Sequence, residues 1–232
     1  MNKKESEAYR EAHRAKIKFK LLISVLIFLV VFSIYLHLQG FDLESLENIS
    51  QTKYGLWVFV FLYAATSFIP IPFAPTSFAV GFFFSLISAF ICTLLGSMLF
   101  AVVMFYITRV LGKEYIDLWL NRHKKYYELD LKISKSGFID IFLLRLFFII
   151  PSQFVTILAG LSAIRFRDFF YATFLGNFLP LFFSISLIRA GIHQNIIGII
   201  ASLMGLFIVL IIPLFFVSKI KKMFLNNNSK EK

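Results

Sequence analysis

The stretch 143–161, LLRLFFIIPSQFVTILAGL, sets a guanidinium, a proline, two hydroxyls and a carboxamide into an otherwise apolar run. Arg145 can grip a phosphate or carboxylate through two parallel N–H bonds. Pro151 lacks a backbone donor and clashes with the preceding turn, so a helix through this point must break. Ser152, Gln153 and Thr156 follow at once, with donors and acceptors that can either meet the freed backbone groups or touch a polar substrate. Both roles are open. Arg145 has three uses: snorkelling to the interface, pairing with Asp140, or holding a phosphate. An arginine in hydrocarbon costs at least about 2.5 kcal/mol, so a plain anchor would gain nothing from one.

The surroundings are membrane-grade. Of 232 residues, 59% are hydrophobic and 31 are phenylalanine, with mean hydropathy +0.79. No soluble core of this length holds so much apolar sequence. The net charge of +11 sits in clusters that flank the apolar runs. Seven basic residues precede residue 21, seven lie between Arg109 and Lys135, two are Arg165 and Arg167, and five follow Val217. That distribution fits the positive-inside rule and anionic lipid, and it argues against nucleic acid, for which no recognition motif is present. Cys92 is the single cysteine and the four histidines are scattered, which excludes a disulfide framework and predicts no metal site and no cofactor.

These runs define the organisation. Residues 1–20 form a basic cytoplasmic tail and 21–38 a first, uncleaved transmembrane helix. Residues 39–53 hold three acids and one base, which places this loop outside and the amino terminus inside. The apolar block 54–108 is interrupted by PIPFAP, with Pro70, Pro72 and Pro75. A polar linker, 113–137, carries Ile116, Trp119, Leu120, His123 and Tyr127 near one helical face; it reads either as an amphipathic helix on the inner leaflet or as one packed on the protein. A last transmembrane helix, 196–217, leads into a basic cytoplasmic tail, 218–232.

Between the flanking helices lies an internal repeat, about 55–112 and 138–191. Pro72 and Pro151 each precede a glycine, Gly81 and Gly160, by nine residues. Gly96 and Gly112 follow at steps of 15 and 16, Gly176 and Gly191 at 16 and 15. At an offset of 80, Phe90, Thr93, Leu95 and Arg109 match Phe170, Thr173, Leu175 and Arg189. Such repeats mark transporter folds. The first unit runs from the acidic outer loop to basic sequence and the second runs back, so the two are inverted. If the second broken segment crossed fully, Arg165 and Arg167 would lie outside; a re-entrant hairpin keeps them inside. The expected fold is an all-α integral membrane protein: two inverted units of re-entrant hairpin plus spanning helix, between flanking first and last transmembrane helices. Gly81, Gly160, Gly96 and Gly176 are read as close-packing positions. Arg109 and Arg189 end the two spanning helices, where a cation suits interface and helix dipole alike, and Asp168 is read as the cap of the second of them.

LLRLFFIIPSQFVTILAGLSAIRFRDFFYATFLGNFLP resembles the signature half of the DedA superfamily, in its VTT-domain (SNARE-associated Golgi protein-like) branch. The matching features are Arg145, Pro151, Ala159 with Gly160, the stretch from Phe166 to Phe170, and Gly176 with Pro180. PIPFAPTSFAVGFFFS resembles the first hairpin, and the similarity covers about residues 55–192. It implies inverted hairpins meeting at mid-bilayer and translocation of a phospholipid or polyprenyl-phosphate carrier. Phe148 stands where a proline is often found, Gln153 and Thr156 replace an Asp and an Asn, and no acid lies near Pro70–Pro75. Proton coupling through such carboxylates is therefore not expected.

Enzyme motifs are absent, so the reading is a non-enzymatic lipid translocator whose partners are lipids with phosphate headgroups, contacted by Arg145, Gln153, Ser152 and Thr156. An ion- or proton-coupled solute transporter and a non-transporting scaffold or assembly factor are the alternatives. The expected location is a bacterial plasma membrane, with many passes and both termini cytoplasmic; monomer and homo-oligomer are both compatible with the chain. Single cysteines replacing Glu44 and Gln194 in a Cys92→Ala background should react with an impermeant maleimide from outside. Cysteines at Lys125, Arg167 and Lys230 should not. Outside labelling at position 167 would mean that the second broken segment crosses the membrane.

Overall fold

The computed structural model describes residues 3–38, 43–68, 75–120, 137–147 and 150–225. Pro70 and Pro72, together with Phe148 and most of the polar linker, lie outside the described residues. Helices α1 (Lys3–Leu38), α2 (Leu43–Ser50), α3 (Gly55–Thr66), α4 (Pro75–Phe83) and α5 (Leu86–Leu120) are followed by α6 (137–146), α7 (Ser152–Leu161), α8 (Phe166–Ile192) and α9 (Ile196–Leu225). Among the described residues there is no strand. In hydrocarbon a helix satisfies its own backbone, and these apolar sequences take that route.

Among the described residues three helices are long and apolar enough to cross a bilayer: Leu86–Leu118, Phe166–Ile192 and Ile196–Pro213, with mean hydropathies of 2.4, 1.6 and 2.8. The chain is an all-α integral membrane protein. The apolar run 21–38 forms the second half of α1, whose Ile27, Phe28 and Val31 are exposed. By contrast α3, α4, α6 and α7 have twelve, nine, ten and ten residues, half the roughly 20 that a span needs.

The short helices form two hairpins. Phe59 at the start of α3 meets Phe83 and Phe84 at the end of α4, with ring centroids 6.1 and 5.1 Å apart. At the other end of this pair, the Thr66 and Thr76 hydroxyls are 2.9 Å apart. The base of the second hairpin brings Gly137, which opens α6, within van der Waals contact of Ile164, beyond α7. Helix α5 starts at the base of the first hairpin and passes its tip, where Phe68 packs against Phe100 at 4.9 Å. That point is 14 residues, about 21 Å, along α5. The tips therefore lie well inside the length of α5.

Each long helix carries one glycine for its own hairpin and receives another from the opposite one. A Cβ on Gly96 (α5) would fall 2.9 Å from the Val60 carbonyl and Tyr63 of α3. Its repeat partner Gly176 (α8) would clash with the Phe142 carbonyl and the Arg145 Cβ of α6, at 3.1 and 2.5 Å. Gly81 of α4 lies against Ile188 of α8, and Gly160 of α7 against Thr108 of α5. Residues 108 and 188 are again 80 apart. The buried apolar residues divide along the same lines. One cluster joins Phe59, Val80, Cys92 and Ile188 around the first hairpin, and another joins Phe100, Phe105, Val155 and Phe169 around the second.

Two expectations need correction. The linker does not begin at residue 113: α5 continues unbroken to Leu120, and the α1 tail packs on this extension through Phe19 on Tyr115 and Lys18 to Glu114. The switch from apolar to charged residues changes the surroundings of the helix but not its propensity. Nor does Asp168 cap α8, whose N-cap position is Arg165; Asp168 lies in the first turn, where its charge complements the dipole.

The glycine contacts predict unequal costs. Gly176→Ala should lower stability in detergent by about 1–3 kcal/mol, because the backbone of α6 must move. Gly191→Ala, with nothing within 4 Å of the added methyl, should be neutral or stabilising by up to about 1 kcal/mol. Denaturant titration of both variants reads the difference.

Candidate functional site

The hairpin tips meet. Helix α6 ends at residue 146, and Pro151 stands at the N-cap of α7 with φ −56° and ψ 130°. The half-buried Gln153 donates from Nε2 to the Ser67 carbonyl, at the end of α3, at 2.5 Å. Thr66 and Ser67 also turn their hydroxyls back on the Leu62 and Tyr63 carbonyls, at 3.0 and 2.6 Å. A helix end needs partners for its last carbonyls, and here the opposing hairpin supplies one of them.

Arg145 is 4% exposed and sits behind this junction. Its Nη1 donates to the Ser152 carbonyl at 3.1 Å and its Nη2 to the Thr156 hydroxyl at 2.8 Å. Thr156 in turn donates to the Ser152 carbonyl at 2.9 Å. Asp140 lies half-buried on the same helix, but the groups that Arg145 meets are the Ser152 carbonyl and the Thr156 hydroxyl. The Nε of Arg145 is buried without a hydrogen-bond partner among the described residues. So is the hydroxyl of Thr173. The arginine Cβ lies at Gly176 and its guanidinium carbon 5.8 Å from the Phe169 ring, so its side chain runs along the α8 face that carries Thr173.

Arg109 does not end its helix as expected, since α5 runs on to Leu120, whereas Arg189 does lie in the last turn of α8. Arg109 on α5 donates from Nε to the Gly160 carbonyl at 2.7 Å, and from Nη2 to those of Ala159 and Ile164 at 3.0 and 2.8 Å. Arg189 on α8 donates from Nη1 to the carbonyls of Gly81, at 3.1 Å, and Phe84. Gly81 is the repeat counterpart of Gly160, and Phe84, three residues further on, takes the place that Ile164, four residues further on, holds in the second unit. Each arginine thus caps the second hairpin helix of the other repeat. The two cationic sites nearest α7 are also linked by rings: Arg109 over Phe105 at 4.7 Å, Phe105 stacked on Phe169 at 4.6 Å, and Arg145 over Phe169.

The structure therefore gathers Arg145, Ser152, Gln153 and Thr156 at one junction, while Arg109 lies where α5 passes the base of the second hairpin and Arg189 lies in the last turn of α8. Sequence reasoning missed Ser67, Thr66, Thr76 and Thr173 as members of the junction. Only Thr173 carried a signal, as the repeat match of Thr93. Among the described residues no group of three or more His, Cys, Asp or Glu side chains is placed to hold a metal.

The VTT domain family model matches residues 69–190. The chain is 30% identical over 117 residues to the uncharacterized protein YqeD of Bacillus subtilis (strain 168), covering 50% of this chain and 56% of YqeD. It is 30% identical over 129 residues to the uncharacterized membrane protein YhjE of the same organism, covering 56% of this chain and 62% of YhjE. The chain thus spans about three-fifths of the length of these relatives. No solved structure matches. The family match takes in just over half of the chain, from six residues before α4 through both cap arginines, and the protein belongs to the VTT-domain family of the DedA superfamily.

Proposed function

We propose that the protein is a non-enzymatic lipid translocator of a bacterial plasma membrane, with both termini cytoplasmic, and that its two hairpins are re-entrant, with tips at mid-bilayer. The observation that carries the reading is the hydrogen bond from Gln153 to the Ser67 carbonyl, which joins two polar helix ends beside the middle of long apolar helices. A bilayer tolerates broken backbone only where protein or a watery cavity receives it. A junction of hydroxyl, carboxamide and guanidinium groups supplies that reception, and it lowers the barrier for a headgroup whose acyl chains stay in lipid. Arg145, Ser152, Gln153 and Thr156 are the headgroup contacts. The unpartnered Nε of Arg145 is the donor with capacity to spare for a phosphate oxygen.

The alternatives separate on measurable grounds. A proton-coupled solute transporter would need a titrating group at the junction, and the cluster of Arg145, Ser152, Gln153 and Thr156 contains no carboxylate. Lipid movement should therefore change little when a proton gradient is collapsed. A scaffold would move no lipid at all.

The test is translocation of a fluorescent phospholipid in proteoliposomes, read by an impermeant quencher. Wild type should expose both leaflets to the quencher. In a Cys92→Ala background, Ser67→Cys with Gln153→Cys should stop movement when oxidised and restore it on reduction, because the tips must part for a headgroup to pass. Arg145→Lys should slow movement about tenfold, since the charge stays while the bidentate fork is lost. Unchanged movement with the tips cross-linked would overturn the hairpin route. Quenching confined to the outer leaflet in wild type would favour the scaffold.

A further inference from the structure

The two ends of the repeat are equivalent in sequence but not in space. At the Arg109 end, a Cβ on Gly112 would fall 2.4 Å from Leu161 and 2.7 Å from Leu22, so the end is filled. At the other end its counterpart Gly191 has nothing within 4 Å. Beside it a cavity of about 380 Å³ opens between the last turns of α8, the first turns of α9 and the start of α5. That volume falls within the usual range for small-molecule sites, roughly 300–1,000 Å³.

The lining has one chemical sense. Its floor is apolar, with Leu86, Phe182 and Phe183. Its polar members are Ser186, Arg189, His193, Asn195 and Ser202, with no carboxylate among the lining residues. Arg189 gives Nη1 to the hairpin carbonyls, and its Nη2 lies 3.2 Å from His193 Nε2. Arginine can only donate, so the imidazole nitrogen is the acceptor of that contact. Asn195 uses its carbonyl oxygen to cap the Gly198 N–H at 3.0 Å, which commits the acceptor and leaves the amide hydrogens as donors. No acid occurs anywhere on α8 after Asp168, nor on α9. A cationic arginine and several donors over an aromatic floor favour an oxyanion attached to something apolar.

We infer that this cavity is a binding site for a phosphate-class anion, filled by the headgroup of an anionic phospholipid that rests its glycerol and upper acyl carbons on Phe182 and Phe183. The inference rests on the lipid-translocation reading for the source of the phosphate, and makes the cavity its docking point at this end of the molecule. Arg189 serves twice here, as cap of α4 and as anchor of the ligand.

The experiment uses the full chain with Cys92→Ala and Ser186→Cys, in nanodiscs of phosphatidylcholine. The rate of maleimide labelling at position 186 is measured as phosphatidylglycerol replaces part of the lipid, and separately with uncharged diacylglycerol or with inorganic phosphate. Gln51→Cys reports non-specific effects at the same end. Phosphatidylglycerol should slow labelling at 186 severalfold and leave position 51 unchanged. A double variant, His193→Ala with Asn195→Ser, should lose the protection, and its serine keeps the helix cap. Protection by inorganic phosphate as well supports the site and admits a soluble anion. Protection by inorganic phosphate alone supports an anion site and rules out the lipid as its source. No protection, equal protection by diacylglycerol, or protection that survives the double variant overturns the inference. Because labelling needs no transport, protection without translocation would sink the translocator reading and keep the site. Translocation without protection would do the reverse.

Discussion

A helix that ends away from water leaves carbonyls with no partner, each costing about 1–3 kcal/mol if nothing meets it. Four short helices multiply that liability, and the cross-repeat contacts of this chain answer it. Gln153 of the second hairpin meets the end of α3 in the first. Arg109 meets the end of α7, and Arg189 the end of α4. A soluble protein would leave these ends to solvent. Here each repeat supplies the caps that the other lacks, so neither half is complete alone.

The packing follows the same exchange. Gly96 and Gly176 admit the first helix of their own hairpin, while Gly81 and Gly160 bring the second helix of each hairpin against the opposite long helix. Close approach is what lets a guanidinium reach carbonyls from the neighbouring element. Hydrogen bonds from a charged donor contribute about 1.5–3 kcal/mol each, against about 0–1 kcal/mol for an exposed ion pair. The arginine caps therefore outweigh the exposed pair Lys18–Glu114, whose side chains are 42% and 55% exposed. The aromatic bridge from Arg109 through Phe105 and Phe169 to Arg145 ties an end cap to the buried arginine of the junction.

The repeat is legible in the sequence because glycine spacing survives where apolar side chains interchange freely. The same spacing locates the long helices and the break at Pro151. The partners of Arg109 and Arg189 are not legible. Position along a helix announces a cation that suits the dipole, but the carbonyls it meets lie 51 and 105 residues away on another hairpin. Ser67 is invisible for a similar reason: its contribution is a backbone oxygen, which carries no residue identity. The continuation of α5 to Leu120 is hidden because amphipathic spacing cannot distinguish a new interfacial helix from the extension of an old one.

The inequality of the two ends comes from the flanking helices, which lie outside the repeat. Leu22 of α1 reaches Gly112 and helps Leu161 to fill that end. At the opposite end α9 begins with Asn195 as its cap and turns Gly198, Ala201 and Ser202 toward α8, all small residues that leave room. Internal symmetry sets the reciprocal caps, and the helices added at either side decide which end stays open. A repeat alone would build two equal ends. The difference between the ends is introduced by α1 and α9 and not by the repeat.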